Sequence, residues 1–97
     1  MFDPLLHSPH RSHIISLLST HGELSFRQCK DLTGMSDGNL SSHMRHLSVA
    51  GYVSLEKAQV GGSRTTIFQL TNLGREAFTT YLRQLKTFVK QHRKLLR

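Results

Sequence analysis

Acidic residues are scarce in this chain: six Asp and Glu stand against thirteen Lys and Arg, for a formal charge of +7. So basic a balance, with seven histidines able to add charge below neutral pH, points to a polyanionic partner. Nucleic acid and an anionic membrane surface both satisfy it. Long apolar runs are also missing, and no segment approaches the roughly 18 apolar residues of a membrane span. The opening residues MFDPLLHSPHRSH have neither the basic start nor the apolar stretch of a secretory signal, so a cytoplasmic location is expected. The single cysteine, Cys29, excludes an internal disulfide and a cysteine-only metal site, and reads as a small apolar residue on a helix. Catalytic signatures are lacking too: there is no nucleophile elbow, phosphate-binding glycine loop or paired-carboxylate motif. No catalytic residue, metal ligand or cofactor is therefore nominated, and an enzyme is not expected.

What is present is one domain's worth of chain, residues 1–97, able to bury only a modest core, which makes a second subunit a natural source of stability. The elements are predicted in the order helix, short strand, helix, helix, strand, strand, helix: mainly α with a small β-hairpin. Ser8 and Pro9 start a first helix that Gly22 ends, with Ile14, Ile15, Leu17 and Leu18 on its buried face. Leu5 and Leu6 precede it as a short turn expected to pack on a partner. GELS is a short strand, and Ser25 caps a second helix with Phe26, Cys29 and Leu32 apolar and Gly34 past its end. The linker TGMS matches in length the turn of a helix-turn-helix. This helix-turn-helix is expected over about residues 25–50, with a β-hairpin over about 52–70. The last helix, about 72–95, is capped by Thr71 and too long for so small a core to cover.

The third helix, from about Asp37 to Ala50 behind the cap Ser36, carries the functional reading. At about 100 degrees per residue, Leu40, Met44 and Leu47 share one stripe, leaving Gly38, Asn39, Ser41, Ser42, Arg45 and His46 on the others. Short, acid-free side chains there admit a DNA major groove about 12 Å wide. Asn39 suits an adenine edge, and Arg45 a guanine or a phosphate. His46 is a candidate phosphate contact and His43 a packed or hydrogen-bonded histidine. In the hairpin, GGSR brings Gly62, Ser63, Arg64 and Thr65 to the tip, with Arg64 placed for a backbone or minor-groove contact. His7, His10 and His13 recur every three residues, but their run straddles Ser8 and Pro9 and lacks a cysteine or carboxylate partner, so it nominates no metal site. On the last helix Phe78, Leu82, Leu85, Phe88 or Val89, His92 and Leu96 step by three or four, the pattern of a helix packing on another helix. Tyr81, Leu82, Leu85, Phe88, Val89 and His92, with Leu5 and Leu6, are the expected dimer contact.

The segments HSPHRSHIISLL, MSDGNLSSHMRHLSVAGYV and RTTIFQLTNLGREAF resemble those of the winged helix-turn-helix transcriptional regulators, in the MarR and ArsR neighbourhood. The resemblance runs from about Leu5 to Leu85. It implies that the helix from Ser36 to Ala50 reads the major groove, that the hairpin around Gly61 to Thr65 is a wing, and that the terminal helices form a homodimer. Carried over by position, it assigns Ser36, Gly38, Asn39, Ser41, Ser42 and Arg45, with Arg64 in the wing, to DNA. LSVAG replaces a more acidic LExAG, and the cysteine pairs and helix His and acid pairs of ArsR-type metal sensors are absent. The expected function is sequence-specific double-stranded DNA binding by a homodimeric regulator acting as a repressor. Two rivals remain: a winged-helix scaffold for protein partners, and a sensor whose ligand or metal shifts the two readers. The sequence names no effector.

Overall fold

The computed structural model describes residues 1–97. The chain folds in the order α1 Pro9–His21, β1 Glu23–Ser25, α2 Phe26–Thr33, α3 Asp37–Val49, β2 Val53–Val60, β3 Ser63–Leu70 and α4 Asn72–Gln91, ending in a 3-10 turn over Arg93–Leu96. Each helix begins at a hydroxyl whose oxygen accepts an otherwise unpaired backbone N–H. Ser8 accepts from Arg11 in α1, Ser25 from Gln28 in α2, Ser36 from Asn39 in α3 and Thr71 from Gly74 in α4. Ser25 and Gln28 bond reciprocally, a full capping box. The three strands form one antiparallel sheet in the order β1-β3-β2.

The core is built from one stripe of each helix and the inner face of the sheet. Ile14, Ile15 and Leu18 of α1 meet Cys29 of α2, Leu40, Met44 and Leu47 of α3, and Val53 and Phe68 of the sheet. Burial pushes the Cys29 thiol up to about 11, so it stays protonated and unreactive near neutral pH. Leu32, expected on the apolar face of α2, is 46 % exposed, because that helix is only eight residues long and Leu32 lies in its last turn, beyond the core.

The segment ahead of α1 is a strap that ties the junction before β2 to α4. The Tyr52 hydroxyl donates to Asp3 at 2.5 Å, and the Asp3 carboxylate also accepts from the Leu5 N–H at 2.9 Å. That bond, helped by burial and the carboxylate's charge, pushes the Tyr52 hydroxyl up to about 12. Phe2 stacks on His7 with ring centres 4.7 Å apart and meets Tyr81 and Phe88 edge-on, while His7 Nδ1 lies 3.0 Å from the Tyr81 hydroxyl.

Two residues expected at a dimer contact are corrected by this strap. Leu6 is fully buried and Tyr81 is 6 % exposed, both inside the chain's own core, so neither has surface to offer a partner. The end of α4 is corrected as well. It stops at Gln91, where His92 leaves helical geometry, and Leu95 and Leu96 follow on the 3-10 turn.

Candidate nucleic-acid interface

The approach to α3 is a short, well-determined turn. Gly34 takes the left-handed conformation at φ 72° and returns its N–H to the Lys30 carbonyl. Thr33 then accepts from the Met35 N–H at 3.2 Å, and the Met35 side chain is buried. Ser36 follows as cap, its hydroxyl oxygen 3.2 Å from the Asn39 N–H. These contacts fix the angle at which α3 leaves α2. Asp37, the one acid at the start of α3, is paired with Lys30 of α2 at 2.5 Å, so the negative charge nearest the reading face is neutralised locally.

Helical spacing sorts α3 into four stripes. Leu40, Met44 and Leu47 are buried, at 0 %, 2 % and 0 % exposure. Gly38 and Ser42 lie on the outward side, fully in solvent, and Gly38 has open space around the position a Cβ would take. Ser41, Arg45 and Ser48 form one flank, toward the hairpin, and Asn39, His43 and His46 form the other. The structure thus brings the expected α3 residues Gly38, Asn39, Ser41, Ser42, Arg45 and His46 to an exposed surface.

The hairpin turn is tighter than the four residues GGSR suggested. Only Gly61 and Gly62 form it, both with positive φ, at 58° and 81°, and Val60 pairs directly with Ser63. Two consecutive positive φ angles suit the two-residue turn whose twist matches paired strands, and a glycine pair adopts them without strain. Ser63, Arg64 and Thr65 therefore lie on β3 rather than in the loop, with Arg64 opposite Gln59. Alternation along the strands puts Arg64, Gln59, Lys57 and Thr66 on the same face as Leu55, which is exposed, and its cross-strand partner Phe68, which is buried, the face turned toward α3. Glu56 points to the other face.

Between α3 and the hairpin runs an open groove of about 320 Å³, with Ser41, Arg45 and Val49 on one wall and Leu55, Lys57 and Thr66 on the other. Its two cations are Arg45 and Lys57, and it has no acid. The Lys57 ammonium donates to the Thr66 hydroxyl at 2.8 Å, which holds it over the groove. Lys57 and Thr66 were not singled out from the sequence. The signal was available in the strand alternation once the turn was placed at Gly61 and Gly62.

Of the histidines recurring every three residues, His7 turns to Tyr81 and His10 lies beside His43, ring centres 5.3 Å apart. No three His, Cys, Asp or Glu side chains come close enough to hold a metal ion. His43 is half-buried, as expected of a hydrogen-bonded histidine, and its Nδ1 lies 3.2 Å from an Arg11 guanidinium nitrogen.

A family model described as a winged helix DNA-binding domain matches residues 11–89, from the first turn of α1 to the last turn of α4. The chain belongs to the winged helix DNA-binding domain family. This winged helix is 33 % identical over 75 residues to the uncharacterized protein MJ0432 of Methanocaldococcus jannaschii, an alignment covering 77 % of this chain and 82 % of that one. It superposes on the structure of a transcriptional regulator homologue protein from Pyrococcus horikoshii with a TM-score of 0.84 and 28 % identity, over 90 % of this chain and 86 % of that one. A MarR family transcriptional regulator from Silicibacter pomeroyi shares the fold at a TM-score of 0.70 and 22 % identity, over 86 % of this chain and 54 % of its own. The fold is thus that of winged helix regulators of the MarR neighbourhood, with the hairpin as wing and α3 as the second helix of the helix-turn-helix. The family is a DNA-binding one rather than a catalytic one. No helix is long and apolar enough to cross a membrane.

Proposed function

We propose that this winged helix is a homodimeric transcriptional regulator that binds specific double-stranded DNA and acts as a repressor, by occupying sites that polymerase must use. The observation that carries the reading is the α3 surface. Apart from Arg45, His46 and Val49 its exposed side chains are short, none is acidic beyond the paired Asp37, and the wing brings Lys57 and Arg64 alongside on the same side of the sheet. A helix of this kind seats in a major groove, with Asn39 and Arg45 offered to base edges and Gly38, Ser41 and Ser42 permitting close approach. Gly62, Ser63, Arg64 and Thr65 follow the adjacent backbone. The whole chain acts as one unit, with α2 and α3 as reader, β2 and β3 as wing and α4 as the dimer helix.

The dimer reading rests on what α4 leaves uncovered. Leu82, Phe88 and Val89 are 48 %, 45 % and 48 % exposed, and Leu85 is half-buried. Apolar groups at this spacing suit a second copy of the same helix. A twofold axis along α4 sets two readers on one face of the DNA, addressing half-sites about 34 Å apart.

The test is binding of Arg45→Ala and Arg64→Ala to a DNA duplex. Arg45→Ala is expected to cost about 1–3 kcal/mol and relax base preference, and Arg64→Ala to lower the salt dependence by about one contact. Unchanged affinity in both variants, with the oligomeric state preserved, would favour a scaffold for protein partners instead.

A further inference from the structure

The reading helix has two flanks, and the family's wing accounts for only one. On the opposite flank, Asn39, His43 and His46 follow one another at helical spacing, and the N-terminal turn of α1 lies against His43. Arg11 of α1 is fixed at both ends of its guanidinium. Its Nε donates to the Leu5 carbonyl at 2.6 Å, and another nitrogen reaches His43 Nδ1 at 3.2 Å. Arginine has no acceptor, so His43 accepts through Nδ1, which leaves its proton on Nε2 as a donor. The His10 ring stacks at a tilt beside it, with centres 5.3 Å apart.

The charged and titratable groups acting on His43 are Arg11 and His10 from α1 and His46 from its own helix. All are cations or become cations, and no carboxylate balances them. Burial and these neighbours hold the His43 imidazole below the ordinary histidine value. An anion arriving here relieves that repulsion, and the site offers it Arg11, His10 and the His43 Nε2 proton from one side. A helix in the major groove has a phosphate backbone on each side of it. In the DNA-binding reading the wing takes one strand, and this cluster lies on the opposite flank of the helix, the side of the second strand.

We propose that His10, Arg11 and His43 form a second phosphodiester-binding bank, flanking the reading helix opposite the wing. The proposal rests on the DNA-binding reading above. A proton taken up by His43 goes to Nδ1 and displaces the Arg11 N–H bonded there, which frees that nitrogen for the phosphate, so the bank is stronger at low pH and phosphate binding draws a proton onto His43. Protein charge thereby couples to DNA occupancy at a place that carries no base recognition.

Phosphate contacts are indifferent to sequence, so a mixed-sequence DNA duplex serves as the probe. For the wild-type chain, the slope of log affinity against log salt is expected to be steeper at about pH 6 than at about pH 8, and the double variant His10→Gln, His43→Gln to lose about one contact from that difference. Glutamine can still accept from Arg11, and the thermal melt of the variant checks that the fold is kept. Independently, the titration midpoint of the wild-type His43 ring, followed by NMR, is expected to rise when the duplex is added. A double variant with the wild-type pH dependence and salt slope, or a His43 midpoint that the duplex leaves in place, overturns the bank while DNA binding stands. A wild-type chain that retains no duplex at either pH overturns the DNA-binding reading and the bank with it.

Discussion

Gly74 shows how closely single residues are placed in this fold. It is buried in the first turn of α4, and a Cβ there would run into the Tyr52 carbonyl oxygen and come within 2.8 Å of Leu70 Cδ1. The same carbonyl accepts the Thr71 N–H at 3.0 Å, and Thr71 caps α4 and donates to the Gly51 carbonyl at 2.5 Å. Substitution of Gly74 by alanine is therefore expected to destabilise the chain by roughly 1–3 kcal/mol, the usual cost of overpacking, as measured by urea unfolding. An unchanged midpoint would show that the junction of wing and α4 yields without cost. At this scale the sequence was legible where neighbours in the chain decide the outcome. Ser8, Ser25, Ser36 and Thr71 all cap as their positions suggested. It was not legible where partners are far apart. Leu6 and Tyr81 read as outward apolar residues, because nothing local reveals that the segment from Phe2 to His7 folds back over α4. Arg11 and His43 are 32 positions apart, and no pattern in either helix announces their contact.

Among the elements, α3 was the most readable, since its Leu40, Met44 and Leu47 stripe is set against small polar residues and its ends carry strong signals at Ser36 and Gly51. The wing was readable as a hairpin, but its turn was drawn two residues too long. Ser63 and Arg64 are compatible with loop or strand, and cross-strand pairing to Val60 and Gln59 decides for strand. The end of α4 was drawn too late because no glycine or proline marks it, and the apolar Leu95 and Leu96 continue the helical spacing past His92. The account of α4 as a dimer helix makes its own prediction. Leu85→Glu with Phe88→Glu places two charges in the apolar stripe and is expected to give monomers in light scattering, with the helix content kept. A variant that stays dimeric would put the contact on another surface.

The molecule as a whole is elongated. Its radius of gyration is 14.9 Å, against about 12.5 Å for a compact chain of this length, and its long dimension is 54 Å against 25 and 21 Å across. The first half of α4 packs on the core through Gly74, Phe78 and Tyr81, while its last turns run on with Phe88 and Val89 exposed, the surface that the proposed second copy would cover. The excess of +7 charges doubles in a dimer, which favours a long polyanion over a small acidic ligand. The central claim is that two readers, set by one twofold axis, address one DNA duplex. It is tested most directly by selecting bound sequences from a randomised duplex pool and measuring the winner's affinity at two salt concentrations. The account predicts an inverted repeat with half-sites about one helical turn apart, bound far more tightly than a scrambled duplex. Weak, steeply salt-dependent binding with no consensus would contradict it.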